Sequence, residues 1–410
     1  MLVLNPSHEN RGHPPFFDKF RRMNVLYITA NPNRASSNVP TEGWFRLLRE
    51  RGLRPVLVSN SDGEFCRWTR SQDIPTHVMP LPFPDKWRPW SYLASLWKLR
   101  QIVRRSGIQL VHAIEHNVYP IAADLARLCE LPVVVGVHCR MERGFGEWAF
   151  GGRRQPDRLF FLTRGSREVC RPSVAGVVPE ANWRLLPNGL DLESFRPDPV
   201  AGQRFRDEHQ LGNGPLIGAA SWLRPGKQLE HLFQVASQLT SDVTVVLAGG
   251  TAPGEEEYAR QVLGEGQRLL GPRLRFLGLL ADLNGFYNAL DLYISTSKEE
   301  TCSISIMESL ACGCPVLGYP STSVDEQVLP SGGEIVAQDD RQQLTAAVAR
   351  WLRDARHRQQ AREGARQRAE ESFDVRKIAS QLWDDYQELL AERNGAGSHC
   401  TRSSAPLQKC

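Results

Sequence analysis

The sequence predicts an α/β protein made of two successive, doubly wound parallel-sheet domains. Apolar runs of strand length alternate with stretches whose apolar residues have helical spacing, the pattern of parallel sheets covered on both faces. The pattern stops at two clusters of chain-breaking residues, 196–199 and 212–215, and then restarts. At about 150 residues per domain, 410 residues leave room for two to three domains.

The first domain is expected to span residues 23–198, after a 22-residue leader that we expect to be flexible. Its first strand, 24–30, precedes a loop and then a helix over 41–51 that ends at Gly52. Further strand candidates, with helical stretches between them, are 55–59, 110–114, 133–138, 159–163 and 183–186. These elements predict an open parallel sheet.

The second domain is expected to span residues 199–371 and repeats the alternation. Its strand candidates are 216–221, 243–248, 274–277, 292–295 and 315–318, and its helices include 229–239 and 303–312. A final helix over 372–393 is expected to cross back to the first domain. We expect the polar tail, 394–410, to be disordered.

Composition and charge exclude several classes of protein. A net charge of +4 is too small to predict nucleic-acid binding. No apolar run approaches the 18 or so residues of a membrane span, and the N-terminus lacks the apolar core of a secretory signal. The nine cysteines are odd in number and scattered, so we interpret them as reduced thiols in a cytoplasmic protein. Cys312 and Cys314 have no nearby ligands to complete a metal site.

The segment 295–316 carries the strongest functional signal. It contains a strand end, a polar loop, a helix opening at Ser303 and a second strand. Ligands of open α/β sheets bind beyond the carboxyl ends of the strands, where a helix N-terminus offers N–H groups to an anion. Glu300 and Glu308 are eight positions apart, roughly 12 Å along a helix. That is wide for the ~5–9.5 Å carboxyl pair of a glycoside hydrolase, and it indicates a long ligand held at two points.

Glu300-x7-Glu308, followed by Ser-Leu-Ala-Cys-Gly-Cys-Pro-Val, resembles the E-x7-E signature of retaining, family 4 type (group 1) glycosyltransferases of GT-B fold. The segment 221–227, with its Arg and Lys, is similar to a strand-loop segment of that family, as are 247–250 and 276–278. The resemblance covers roughly residues 23–391, and it implies two Rossmann-like domains facing each other across a cleft.

The resemblance also implies roles for individual residues. Glu300 would contact hydroxyls of the transferred sugar and Glu308 the nucleotide ribose, while Arg224 and Lys227 would clamp the diphosphate. The remaining donor-side residues that it implies are Thr301, Ser303, Ile304, Gly249 and Gly250. No D-x-D segment ends a strand, so these cations rather than a metal are expected to balance the phosphate charge, and no cofactor is expected.

Two features leave alternatives open. Cys302 and Ser303 stand where family members commonly carry an aromatic residue and a glycine, which puts the sugar preference in question. Glu299 is a second candidate for the role of Glu300.

On the acceptor side, the resemblance implies an active-site role for His138, at the end of the strand 133–138. His112 and His116 are weaker candidates. The loop 36–43 stands where the family has a glycine-rich loop, so Asn38 and Gly43 are predicted to face the acceptor. Asn188, in the inter-domain segment, completes the acceptor-side set.

Residues 86–105 mix tryptophans with Lys and Arg. One interpretation is a helix that packs its Trp and Leu side chains on the sheet while its cations face water. The other is contact with an anionic membrane surface, which would place the protein peripherally on the inner face of the membrane.

Together these observations predict a glycosyltransferase that moves a sugar from a nucleotide-diphosphate sugar to a glycan or lipid-linked acceptor. Two rivals remain, a nucleotide-sugar epimerase of the same fold and a non-catalytic nucleotide-sugar-binding protein. A dinucleotide dehydrogenase is disfavoured because no G-x-G-x-x-G follows the first strand.

Overall fold

A computed structural model describes residues 22–34, 37–85, 87 and 89–400, and these contain two parallel β-sheets covered by helices. The expected leader, except for its last residue, lies outside the described residues, as do residues 401–410. The seven strands of the first sheet are β1 (Met23–Thr29), β2 (Leu53–Ser59), β3 (Thr76–Val78), β4 (Leu110–Ala113), β5 (Val133–Val137), β6 (Arg158–Phe161) and β7 (Trp183–Leu185).

The second sheet is built from the C-terminal half of the chain. Its six strands are β8 (Leu216–Ala220), β9 (Thr244–Ala248), β10 (Leu274–Gly278), β11 (Leu292–Ser295), β12 (Val316–Gly318) and β13 (Gly333–Ile335).

Helices follow the strands in both halves. Those of the first half are α1 (Asn38–Glu50), α2 (Glu64–Ser71), α3 (Pro89–Ser106), α4 (Tyr119–Cys129), α5 (Arg143–Phe150) and α6 (Arg164–Val174). Those of the second half are α7 (Pro199–Glu208), α8 (Leu229–Ser237), α9 (Glu256–Leu270), α10 (Leu283–Ala289), α11 (Ile304–Ala311), α12 (Val324–Val328), α13 (Arg341–Arg353), α14 (Ala355–Ser372) and α15 (Val375–Cys400).

Both sheets have the strand order of a doubly wound fold. The first runs β3-β2-β1-β4-β5-β6-β7 and the second β10-β9-β8-β11-β12-β13, with all pairs parallel. The order therefore reverses between β1 and β4 in one sheet and between β8 and β11 in the other. Ligands of such sheets bind outside the carboxyl ends of the strands at these reversals.

The predicted fold class is confirmed, and the strand predictions agree with the structure to within two residues at each end. Two strands, β3 and β13, were not predicted. Both are three residues long, lie at a sheet edge and are not buried, so they lack the apolar run that marks a central strand.

Three sequence predictions of local structure are corrected. The last helix begins at Val375 rather than at Ser372. Between α14 and α15 the backbone leaves the helical conformation and pairs with Leu190, whose N–H donates to Phe373 O at 2.7 Å. That helix continues to Cys400, so the expected disordered tail begins as helix. The loop expected over 36–43 is helical from Asn38 onward; Ser36 lies outside the described residues.

Helix α15 packs on the first domain. Its apolar side chains join those of β1 and α1 in one buried cluster that includes Tyr27, Phe45, Leu382 and Tyr386. Within the described residues, no helix combines the length and apolar character needed to cross a bilayer.

Candidate active site

A cleft of about 610 Å³ lies between the two sheets, at their carboxyl edges. Its first-domain wall follows β1, β4 and β5, and its second-domain wall follows β8 and β11, so both strand-order reversals face it. Five predicted site residues line it: His138, Asn188, Arg224, Glu300 and Thr301. The topology thus brings together residues from both halves of the chain.

Glu300 and Lys227 form an ion pair at the second-domain wall. Their side chains are only 14% and 12% exposed, and Lys227 Nζ donates to Glu300 Oε2. The two loops are also joined through their backbones, since Lys298 N donates to Gly226 O at 2.9 Å. An ammonium group has three N–H donors, so two remain for an anionic ligand. Arg224 is exposed and lines the cleft with Glu300, whereas Lys227 lines a small neighbouring cavity together with Ser303.

Glu299, the rival candidate, has a different environment. It is 62% exposed and forms an ion pair with Arg140 of the first domain, 3.5 Å away. Both glutamates line the cleft, but only Glu300 is shielded from water and paired with a cation of its own domain.

Glu308 lies beside the cleft rather than in its lining. It is 8% exposed in α11, and its Oε2 accepts a hydrogen bond of 2.7 Å from the Tyr287 hydroxyl. Burial raises the pKa of the Glu308 carboxyl to about 7. Near neutral pH, this group therefore exists in both protonation states.

The N-terminus of α11 is partly occupied by the protein itself. Gln327, which is buried, accepts from Ser303 N at 2.9 Å and donates to Ser303 O at 3.0 Å. The side chain of Ser303 makes no capping hydrogen bond. The unpaired N–H groups of the first turn thus begin at Ile304, one residue later than predicted from the sequence.

Gly249 and Gly250 lie outside the cleft lining, at the end of β9. Gly249 has a φ of +134°, and a Cβ there would lie 1.8 Å from Ser221 O, so only glycine fits. Gly250 lies against Trp222 and Leu279, which are 45% and 76% exposed. Together these two side chains and Gly250 form an open apolar shelf at the ends of β8, β9 and β10.

His138 occupies the first-domain wall at the end of β5. Burial, together with the nearby His116, lowers the pKa of its imidazole to about 4. His138 is therefore a neutral hydrogen-bonding group at pH 7, not a cation. His112 lies below the site, where its ring contacts the Tyr386 hydroxyl. His116 lies near the site, with its Nε2 3.9 Å from Cys139 Sγ.

The structure places neither Asn38 nor Gly43 in the cleft lining. The Asn38 amide donates to Asn31 O at 2.8 Å and to Asn33 O at 2.7 Å, which holds the loop after β1 in place. A Cβ on Gly43 would lie 2.6 Å from Val375 Cγ2, so this glycine lets α15 approach α1. Both residues therefore stabilise the packing next to the first-domain wall and do not line the cleft.

Asn188 lines the cleft and is 2% exposed. Its Nδ2 donates to Cys302 O at 3.4 Å, whereas its buried Oδ1 has no hydrogen-bond partner in the described part of the chain. A buried acceptor without a partner is costly, so this oxygen is suited to receive a hydrogen bond from a ligand.

Glu115 is a cleft residue that the sequence analysis missed. It follows β4 and is 8% exposed, and its carboxylate accepts from Ser37 Oγ at 2.7 Å, Thr29 Oγ1 at 2.9 Å and Ala30 N at 3.2 Å. Burial raises the pKa of the carboxyl, and these hydrogen bonds oppose the rise. Its position directly after a strand beside the order reversal is the signal that could have identified it.

The seven cysteines whose side chains the structure describes are free thiols. Cys312 and Cys314 are buried, and the described residues contain no group of three or more His, Cys, Asp and Glu side chains arranged to hold a metal.

Comparisons with known families match both halves of the chain. The model of glycosyl transferases group 1 matches residues 203–368, and the glycosyl transferase 4-like domain matches residues 38–189. The chain belongs to the group 1 glycosyltransferases of GT-B fold.

Individual proteins of similar sequence are also glycosyltransferases. The sulfoquinovosyl transferase SQD2 of Arabidopsis thaliana is 24% identical over 343 residues, which are 78% of this chain and 64% of SQD2. The lipopolysaccharide core biosynthesis mannosyltransferase LpcC of Rhizobium leguminosarum bv. viciae is 22% identical over 308 residues, 74% of this chain and 84% of LpcC.

Among solved structures, Anabaena HepE in complex with UDP superposes with a TM-score of 0.80 at 20% identity, covering 89% of this chain and all of HepE. HepE has also been solved with UDP-glucose. This likeness shows that the fold is shared.

Proposed function

We propose that this protein transfers a sugar from a nucleotide-diphosphate donor to an acceptor hydroxyl, with retention of anomeric configuration and without a metal ion. The observation that carries the proposal is the shielded Glu300–Lys227 pair, because Glu300 lines the same cleft as His138. SQD2 is a sulfoquinovosyl transferase, LpcC is a mannosyltransferase of lipopolysaccharide core biosynthesis, and HepE binds UDP and UDP-glucose. These similar proteins support a nucleotide-sugar donor and an acceptor in glycolipid or polysaccharide synthesis.

In this proposal the second domain holds the donor. Lys227 and Arg224 bind the diphosphate and stabilise the charge that develops on it as the glycosidic bond breaks. Glu300 accepts hydrogen bonds from sugar hydroxyls, and Glu308 from the ribose. The apolar shelf of Trp222, Gly250 and Leu279 supports the nucleobase, because a flat apolar surface suits a ring system.

The first domain holds the acceptor next to the sugar. His138 is neutral, so its imidazole can hydrogen-bond a sugar hydroxyl without adding charge. Asn188 Oδ1 is the buried acceptor available to a second hydroxyl. The departing phosphate takes the proton of the attacking acceptor hydroxyl on the same face of the sugar, which retains the configuration. The free thiols support a reducing compartment, and we place the reaction in the cytoplasm.

The test uses a panel of UDP, GDP, ADP and CDP sugars. We expect the sugars of one nucleotide to raise the melting temperature of the protein. We expect the same donors to be consumed, with release of the nucleoside diphosphate, and the transferred sugar to keep its anomeric configuration. Activity should persist in a metal chelator and should fall steeply in Glu300→Ala.

Three outcomes would contradict the proposal. Conversion of the donor sugar to its epimer without an acceptor would indicate an epimerase. Binding of the donor without any turnover would indicate a non-catalytic protein. Loss of activity in chelator, restored by a divalent cation, would contradict metal independence.

A further inference from the structure

Helix α3 turns its tryptophans outward. Trp90 and Trp97 are 79% and 60% exposed, and Leu93 between them is 49% exposed. The opposite face of the helix, with Tyr92, Ser95, Leu99 and Val103, is the buried one. The interpretation that α3 packs its tryptophans on the sheet is therefore wrong. Single exposed apolar residues are common, but three large ones on one helix face form an apolar patch of the kind found at interaction sites.

The same face of α3 is basic. Lys98, Arg104 and Arg105 are exposed, and at helical spacing they fall within the arc that contains Trp90 and Trp97. The helix contains no acidic residue, and these three cations form no ion pair with a residue that the structure describes. We call this surface, Trp90, Leu93, Trp97, Lys98, Arg104 and Arg105, the aromatic-basic face. Lys86 and Arg88, in the same stretch of sequence, lie outside the described residues.

Further aromatic side chains lie between the segment that precedes α3 and the acceptor side of the cleft. Phe83, just before α3, is 51% exposed and contacts the rings of Trp148 and Phe145 in α5, at centroid distances of 5.6 and 6.4 Å. Phe145 in turn contacts His116, at 5.6 Å, and the neighbouring Asn117 lines the cleft. A series of ring contacts thus runs from the exposed Phe83 to the first-domain wall.

We propose that the aromatic-basic face binds the surface of an anionic lipid bilayer and that the acceptor reaches the cleft from that surface. Tryptophan rings are suited to the interface between headgroups and acyl chains, and Lys and Arg are attracted to anionic headgroups. A second copy of the chain fits less well, because a two-fold interface on this face would oppose two sets of unpaired cations. The acceptor half of the proposal rests on the proposed function, whereas the lipid-binding half does not.

The test is sedimentation of the full chain with vesicles of phosphatidylcholine alone or with added phosphatidylglycerol. The wild type should bind the anionic vesicles more tightly, and added salt should weaken this preference. Trp90→Ser/Trp97→Ser should weaken binding on the order of tenfold, because two interfacial side chains are lost. Arg104→Glu/Arg105→Glu should weaken binding to anionic vesicles by about tenfold or more.

Matched controls lie on the second domain. Arg353→Glu/Arg356→Glu reverses two exposed cations, and Val200→Ser replaces an apolar side chain that is 77% exposed. Both should bind vesicles like the wild type. Equal binding by the α3 variants and the wild type, or no binding by the wild type, would overturn the proposal. A dimer in solution that the Trp variants dissociate would overturn it in favour of a second copy.

A second readout separates this proposal from the proposed function. The α3 variants should hydrolyse donor in free solution at the wild-type rate but lose transfer to an acceptor embedded in vesicles. If no donor is consumed by any form of the protein, the proposed function fails, while the vesicle measurement still decides the lipid-binding half. Unchanged transfer to the embedded acceptor would overturn the acceptor half.

Discussion

The hydroxyl of Thr301 donates a hydrogen bond to the main-chain carbonyl of His138, with 2.8 Å between the two oxygens. Thr301 follows Glu300 directly, so this bond joins the proposed donor loop of one domain to the proposed acceptor strand of the other. The carbonyl of Thr301 also accepts from Thr163 Oγ1 at 3.0 Å and Ser323 Oγ at 2.6 Å. Side chains from both domains therefore hold this loop across the cleft.

Loss of the Thr301 hydroxyl should slow transfer without weakening donor binding much. Thr301→Val removes a hydrogen bond of about 1 kcal/mol, which corresponds to roughly fivefold in kcat if the bond aligns the two loops. Thr301→Ser keeps the hydroxyl and should restore most of the rate. Steady-state kinetics of both variants test this. A Ser variant as slow as the Val variant would show that the methyl group, not the hydrogen bond, matters.

Glu300 and Glu299 should differ sharply in their effect on turnover. Glu300→Ala should lower kcat by on the order of a thousandfold, because it removes an acceptor aimed at the transferred sugar and leaves Lys227 unpaired. Glu299→Ala removes only an exposed, 3.5 Å ion pair and should change kcat by no more than about threefold. Rates of donor consumption, with melting curves as a folding control, decide this. The reverse order would assign the role to Glu299.

Glu308 should make the protein less stable as pH rises toward neutrality. Its pKa is raised from 4.5 to about 7 in the folded state, so the folded form binds the proton more tightly. The resulting stabilisation is complete below pH 4.5 and is lost as the pH rises through about 7. Glu308→Gln stays neutral and avoids this loss.

Urea unfolding at acidic and mildly alkaline pH measures the effect. The free energy of unfolding of the wild type should fall relative to that of Glu308→Gln by about 3 kcal/mol across this range. Parallel pH profiles of the two proteins would show that Glu308 is not held in its protonated form.

Contact between the domains should depend on Gly165. A Cβ at this position would lie 2.0 Å from Thr322 O of the second domain. Gly165 N and Arg164 N also donate to the Glu326 carboxylate, each at 3.1 Å. Gly165→Ala should therefore hold the domains apart and reduce kcat on the order of tenfold, since catalytic groups displaced by an ångström lose much of their effect.

The matched control is Gly264→Ala, a helical position in the second domain where an added Cβ meets nothing within 4 Å. It should leave kcat unchanged and raise stability slightly, because alanine favours helix. Small-angle scattering should show a larger radius of gyration for Gly165→Ala only. Wild-type kinetics for Gly165→Ala would mean that this contact is not part of the active arrangement.

Local sequence patterns determined the two parallel sheets and the donor motif. Strand-length apolar runs such as 133–138 predict strands that are buried on both faces. Glu300-x7-Glu308 lies within one strand-loop-helix unit, so both features can be recognised in a short stretch of sequence. The edge strands β3 and β13 were not predicted, because three partly exposed residues are too few to show a hydrophobic pattern.

Tertiary structure decided which side chains share the cleft. Thr301 and His138 are 163 residues apart in the sequence, and Glu115 and Ser37 are 78 residues apart. The spacing of apolar residues predicts local helices and strands, but it does not predict contacts over such distances. Tertiary packing also put Gly43 beneath α15 and turned Trp90 toward solvent, because the buried face of a helix is chosen by what packs against it. Motifs in the sequence identify candidate site residues, but the order of strands in the two sheets determines which of them lie together in the cleft.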